Sequence, residues 1–248
     1  DKSLVDLAIR EAREALAIDP DSVRALHALA MAHQVSLFLY LAADRKRSLE
    51  EAKWACARAI ELDHSNALGY ALRGMGVWMG GETHRLPEAL ADVRRGHSIN
   101  PNDTVVLSYL ANLEASIGEY ELSIEHSHHV LRLNPRPVRS HMTYNLLGFA
   151  CFGARRYAEG VSWNLRSIND MPGWVGAYRS LSACLVGSGE IARAKCAFAD
   201  GQRLSPTFFR KGLEGHSPFA MPQDRQRFHT FLRVAAGLDD PAAADPLR

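Results

Sequence analysis

The sequence predicts an all-α protein, a right-handed α-solenoid of tandem antiparallel helix pairs with a C-terminal capping helix. Three periodic features carry the prediction. Pro20, His64, Pro101, Pro135, Pro172 and Pro206 each close an apolar stretch of helical spacing, at intervals of 44, 37, 34, 37 and 34 residues. Proline has no backbone N–H and cannot continue a helix, so such positions mark stops. Twelve residues before these markers stand Ala8, Ala52, Ala89, Ser123, Gly160 and Ala194; five before stand Ala15, Ala59, Gly96, Val130, Ser167 and Gly201, all small except Val130. A small side chain is needed where two helices cross closely, so its recurrence at one phase marks a repeated packing contact. The third feature lies in the first helix of each pair, where a large residue is followed by others at +3, +4 and +7: Leu26, Leu29, Ala30, His33; Tyr70, Arg73, Gly74, Val77; Leu107, Leu110, Ala111, Glu114; Tyr144, Leu147, Gly148, Cys151; Tyr178, Leu181, Ser182, Leu185.

In chain order, residues 3–18 read as the second helix of a pair whose first helix is missing, a partial repeat over 1–22 with an apolar stripe unmet. Together with the absent initiating methionine, this predicts an excised fragment. Complete pairs follow at about 23–66, 67–103, 104–137, 138–174 and 175–208. The longer intervals are read as insertions, chiefly residues 35–48 in the first complete pair. Residues 209–237 form the capping segment: Pro222 suits a first helical turn, Phe228, Phe231 and Leu232 share a face, and Gly237 is the stop. From 238 to 248 Asp, Pro and Ala predominate, which predicts a flexible tail.

Composition limits the function classes. The chain has 248 residues, 47% hydrophobic and 23% charged, enough for one continuous helical core in which each repeat leans on its neighbours. A net charge of +1 gives no electrostatic case for direct binding to nucleic acid or anionic membrane. The longest apolar run, residues 35–43, falls far short of the ~20 residues of a membrane span. Cys56, Cys151, Cys184 and Cys196 show no CxxC spacing and are expected to be reduced, buried thiols, which favours a cytoplasmic setting, or a periplasmic one if a parent protein is membrane-anchored.

The period near 34 and the residues Tyr178, Leu181, Gly189, Ala194, Phe198, Gly201 and Pro206 resemble the tetratricopeptide repeat. Arg73 in place of a core leucine and Glu114 in place of an aromatic depart from that pattern. The resemblance extends to one setting of the repeat. NPND at 100–103, RLNPRP at 132–137, GARRYAEG at 153–160 and the ending SPF, DRQRF, LRVAAGL are similar to the C-terminal tetratricopeptide regions of bacterial class III adenylate or guanylate cyclases, and to regions of membrane-anchored winged-helix regulators. This resemblance implies a parent with an upstream catalytic or DNA-binding domain. It carries no cyclase metal-binding aspartate onto this chain.

No catalytic, cofactor or metal residues are predicted. GxSxG, HExxH and phosphate-loop motifs are absent. Glu125, His126, His128 and His129 sit at helical spacing, but Ser127 and Val130 hold the packing phases, which turns the histidines outward. The remaining candidate is the concave wall of first helices, with a partner-binding groove of Arg24, His27, Met31, Gln34, Ala71, Met75, Trp78, Ser108, Asn112, Asn145, Phe149, Phe152 and Arg179. So many large apolar groups on a wetted wall imply a cover. Either a partner docks there, or the elongated first helix or the C-terminal segment folds over them. No lysine lies on the first-helix stretches, so the two-residue carboxylate clamp of chaperone-binding domains is missing. The expected function is a non-catalytic protein-binding module, a regulatory or oligomerising part of a bacterial signalling protein such as an adenylate cyclase. A free-standing scaffold or co-chaperone is the alternative. The partner would be a peptide segment, the upstream domain of the same chain or a second copy.

Overall fold

The computed structural model describes residues 2–134 and 140–247. Pro135 and the end of the RLNPRP stretch lie outside the described residues. Among these residues there are thirteen α-helices and two short 3₁₀ segments. Helix α1 spans Lys2–Ile18, α2 Val23–Phe38, α3 Arg45–Leu62, α4 Ala67–Gly80, α5 Leu86–Ile99 and α6 Thr104–Ile117. Then come α7 Tyr120–Leu133, α8 Ser140–Gly153, α9 Tyr157–Asp170, α10 Val175–Gly187, α11 Ile191–Leu204, α12 Pro206–Leu213 and α13 Pro222–Ala235. The chain forms two compact units, residues 1–113 and 114–248, with the boundary inside α6.

The stops work as predicted. Second helices end two residues before the marker, at Ile18, Leu62, Ile99, Asp170 and Leu204. The residue just ahead of the marker is pushed out of helical geometry, as for Asn100 (φ −137°), Met171 (φ −141°) and Ser205 (φ −150°). Asp63, ahead of His64, is extended as well (φ −147°). Polar caps start the next first helix: Asn66 Oδ1 accepts from Gly69 N–H (2.8 Å), and Asp103 Oδ1 from Val105 N–H (2.8 Å).

Within each unit the first helix packs on its own second helix and on the next first helix, as α2 does on α3 and α4, and α8 on α9 and α10. The small residues sit at the crossings. A Cβ on Gly74 would lie 2.5 Å from the Ala89 carbonyl oxygen, and one on Gly96 2.5 Å from that of Ala67. In unit 2 a Cβ on Gly148 would meet Asn164 at 2.2 Å, and one on Gly201 would meet Phe209 at 2.2 Å. A further series escapes the sequence pattern. Glycines at first-helix C-termini receive the first large apolar or aromatic residue of the preceding second helix: Leu49 against Gly80, Tyr120 against Gly153, Tyr157 against Gly187.

The two departures from the repeat pattern are each paired. Arg73 makes a bidentate contact to Asp92 (2.7 and 2.6 Å) and lies 5.3 Å from the Tyr70 ring centroid. Buried Glu114 takes a contact from His126 Nδ1 at 2.7 Å, so His126 turns partly inward and not to the outer surface. The long loop and helices of the first complete pair accommodate the insertion, α2 running 16 residues and α3 18 against 14 in α4 and α5.

The C-terminus differs from expectation in two respects. Pro206 does not only end a repeat; it is the first residue of α12, whose Phe208 and Phe209 are buried. Within the tail expected at 238–248, residues 241–247 form a 3₁₀ segment packed on α13, with Ala244 buried and Asp239 held by Arg233 through two contacts (2.8 and 2.7 Å). No helix among the described residues is long and apolar enough to cross a membrane.

Candidate functional site

The first-helix residues of the two units have different surroundings. In unit 1, Arg24 is exposed on α2, and His27 and Met31 beside it are partly exposed. Met31 packs with Leu68 and Tyr109 against a core of Leu26, Leu29, Ala30, Ala55, Cys56 and Leu72. Trp78, on α4, is partly exposed and stacks on Phe38 with centroids 6.0 Å apart. Asn112 is partly exposed on α6, as is Ser108. Burial above all lowers the His27 pKa, with Asn66 and Asp103 pulling the other way, so the imidazole is neutral at pH 7.

Six predicted groove residues are not available at the surface. Gln34 and Met75 are each 1% exposed, and Gln34 Nε2 donates to the Leu72 carbonyl at 2.6 Å. Ala71 is also buried. In unit 2, Phe149, Phe152 and Arg179 are covered by the chain itself. The physical reason is a dense ring cluster: Phe219 sits 4.3 Å from Phe149 and 5.5 Å from Phe152, while Phe228 and Phe231 close on Phe152 at 5.2 and 5.6 Å. Edge-on and tilted rings at such distances bury a large apolar area with favourable quadrupole geometry. Arg179 lies 4.1 Å from the Phe208 centroid, its charge over a ring face. Asn145 is committed within the fold, donating to Asn164 Oδ1 (3.0 Å) and accepting from Trp174 Nε1 (2.9 Å).

Polar contacts fix the register of this cover. Ala220 N–H donates to the Ser116 carbonyl at 2.8 Å. Arg227, almost fully buried, donates to the carbonyls of Phe152 (3.3 Å) and Gly153 (2.8 Å) and pairs with Asp224 (2.9 Å). The Tyr120 hydroxyl donates to Asp224 as well. Burial, and then the Asp224 carboxylate, push the Tyr120 pKa up, so the phenol keeps its proton as a donor.

A second charged cluster lies in unit 1. A cleft of about 530 Å³ between α1, α2 and residues 41–48 is lined by Arg10, Arg13, His33, Arg47 and Glu51 among others. Its central charges satisfy one another: Glu51 accepts from Arg13, from Arg47 (2.8 Å) and from buried His33 (3.0 Å). Burial alone would raise the Glu51 pKa, but the two guanidiniums outweigh it and hold the carboxyl at about 2. This network ties α1 to α2 and α3.

Three of the cysteines are buried as expected, but Cys196 is exposed. Burial pushes the thiols of Cys56 and Cys151 up to about 12, where they are inert. Among the described residues no group of three His, Cys, Asp or Glu side chains could hold a metal ion.

No protein-family model matches the chain, and no curated protein does. Solved structures match over most of its length. PilF of Pseudomonas aeruginosa aligns at TM-score 0.55 and 16% identity over 88% of each chain. A tetratricopeptide repeat protein from Parabacteroides merdae aligns at TM-score 0.52 and 18% identity, covering 99% of this chain and 85% of that one. Human IFIT1, in a dimer with PPP-AAAA, aligns at TM-score 0.70 and 14% identity over 98% of this chain and 54% of its own. At these identities the likeness shows the fold, a tandem array of tetratricopeptide-type helix pairs.

Proposed function

We propose that the chain is a non-catalytic protein-binding module, acting as the regulatory or oligomerising C-terminal region of a bacterial signalling protein such as an adenylate cyclase. One observation carries the binding reading: the first-helix face of unit 2 already seats a chain segment, through an aromatic anchor, a main-chain hydrogen bond and a buried polar lock. A surface that accommodates a segment in this way uses the physics of peptide recognition, with anchors for affinity and backbone contacts for register. The partner side of the module is then unit 1, where Arg24, His27, Met31, Trp78 and Asn112 retain surface on α2, α4 and α6. The stretches at 100–103, 132–137 and 153–160 support the cyclase setting.

Selection of displayed peptides on the immobilised chain tests the reading. It should enrich segments bearing an aromatic anchor. Met31→Ala with Trp78→Ala should then weaken the selected peptide by ~2 kcal/mol or more while helical circular dichroism is kept. Unchanged affinity in a folded double variant would overturn the assignment of this face.

A further inference from the structure

Residues 126–158 contain no aspartate or glutamate, the longest such run in the chain, and carry five arginines and four histidines. The run covers the second half of α7, all of α8 and the start of α9, so unit 2 holds a local excess of positive charge that the net charge of +1 conceals. Four side chains meet there. Trp163 on α9 stacks on Tyr144 of α8 (centroids 5.9 Å apart, 18° between planes), meets His128 of α7 edge-on at 5.5 Å and carries the Arg166 guanidinium 4.6 Å from its ring centroid. Its indole Nε1 donates to Glu159 at 3.2 Å, which holds the ring in place. Tyr144, His128 and Trp163 keep part of their surface, and Arg166 is exposed.

We propose that this cluster is a docking site for an acidic protein segment, with Arg166 as the group that pairs with a carboxylate. The site is separate from the unit 1 face and goes beyond the reading given for it. Arg58, Arg73, Arg156 and Arg203 each hold a carboxylate, whereas among the described residues Arg166 has only the Trp163 ring. The acids nearby are committed elsewhere: Glu159 to Arg156 and the indole, Glu121 to Arg156, and Asp170 to the Ser140 hydroxyl. Glu125, three residues before His128, has no such partner among the described residues, and exposed Arg132 one turn beyond His128 offsets its charge. A guanidinium laid on an aromatic ring is pre-oriented, which lowers the ordering cost of a bidentate carboxylate contact. The Tyr144 hydroxyl and the His128 ring nitrogens make no hydrogen bond among the described residues, so both can add to that contact. The class of occupant follows from charge and from Trp163. A nucleic-acid strand needs an open aromatic face on which a base can stack, and this ring is already engaged by three neighbours. A carboxylate needs only the guanidinium fork.

The test titrates a fluorescent hexaglutamate peptide into the full chain, with single-stranded hexauridylate as the comparison anion. Hexaglutamate should bind, more weakly as salt is raised, and should shift the nuclear magnetic resonance signals of the Trp163 indole and the His128 ring. Arg166→Gln should weaken binding about fivefold, whereas Arg203→Gln, the same charge change on α11, should leave it within about twofold. If Arg166→Gln does not fold, Arg132→Gln gives the same comparison against Arg203→Gln. The proposal is overturned if the wild type does not bind hexaglutamate, if the variants lose affinity equally, if Trp163 and His128 do not shift, or if hexauridylate binds more tightly than the peptide. These variants leave Met31 and Trp78 in place, so binding of display-selected peptides to unit 1 reports separately on the module itself.

Discussion

Gly74 and Gly76 lie two residues apart in α4, and the structure predicts opposite outcomes for the same substitution. In an ordinary helix interior Gly→Ala gains about 1 kcal/mol, because alanine loses less backbone entropy. At Gly74 the new methyl would lie 2.5 Å from the Ala89 carbonyl oxygen and 2.7 Å from Val93 Cγ2. One obstacle is backbone and the other a branched side chain buried in α5, so relief requires α4 and α5 to move apart. Overpacking of this kind costs about 1 to 3 kcal/mol, and contacts this short call for the upper end. Setting the helix-propensity gain against it leaves Gly74→Ala destabilised by about 2 kcal/mol. At Gly76 the nearest atom is Gln34 Nε2 at 3.4 Å, the end of a side chain in ordinary contact. Gly76→Ala should therefore be neutral or stabilised by up to about 1 kcal/mol. Urea unfolding followed by circular dichroism measures both. Equal stabilities, or a more stable Gly74→Ala, would refute the assigned crossing of α4 and α5.

Other expectations follow from the same geometry. Gly148→Leu and Ala194→Leu should each cost ~1 to 3 kcal/mol or more, whereas exposed Lys195→Ala should cost little, and equal melting temperatures would reject the repeat phase. Because the folded pKa of Glu51 is depressed from an ordinary 4.5 to about 2, its stabilisation is full above the ordinary value and is lost as pH falls through about 2. Amide protection factors in α1, corrected for intrinsic exchange, should fall over that window in wild type, and Glu51→Gln should show the lower protection already at neutral pH; protection that is equal in both and constant with pH would contradict the anchor. Purified chain should form no cyclic nucleotide from ATP or GTP, and a chelator should leave its circular dichroism unchanged; loss of helix on chelation would point to a metal at His126, His128 and His129.

The repeat architecture was legible because proline stops and crossing residues are imposed by backbone geometry, which each repeat must satisfy by itself. Gly74 and Gly96 show this directly, each lying against a main-chain carbonyl. The groove was less legible. First-helix phase identifies which side chains point to the wall, but not what lies over the wall. Phe149 and Phe152 occupy the same phase as Met75 and Trp78; Met75 is buried within unit 1 and Trp78 keeps surface, whereas Phe149 and Phe152 are covered by Phe219, Phe228 and Phe231, and Phe231 lies 79 residues from Phe152 in sequence. The pairing of Glu114 with His126 was hidden for a related reason. Each residue looks misplaced alone, and only the helix pairing brings their side chains to 2.7 Å. The glycines at 80, 153 and 187 had a readable signal, since each stands at the end of a first helix. Their partners lie in the opening turns of second helices, Tyr120 and Tyr157 as first residues of α7 and α9 and Leu49 as the fifth of α3, and that registry could have been counted from the same markers.

The most direct measurement of the central claim is a nuclear magnetic resonance titration of a display-selected peptide into the full chain, observing the Met31 methyl and the Trp78 indole. Binding to the first-helix face predicts shifts at both, with no change at second-helix reporters such as exposed Trp54 on α3. Shifts confined to Trp54 and other second-helix positions, with Met31 and Trp78 unmoved, would contradict it.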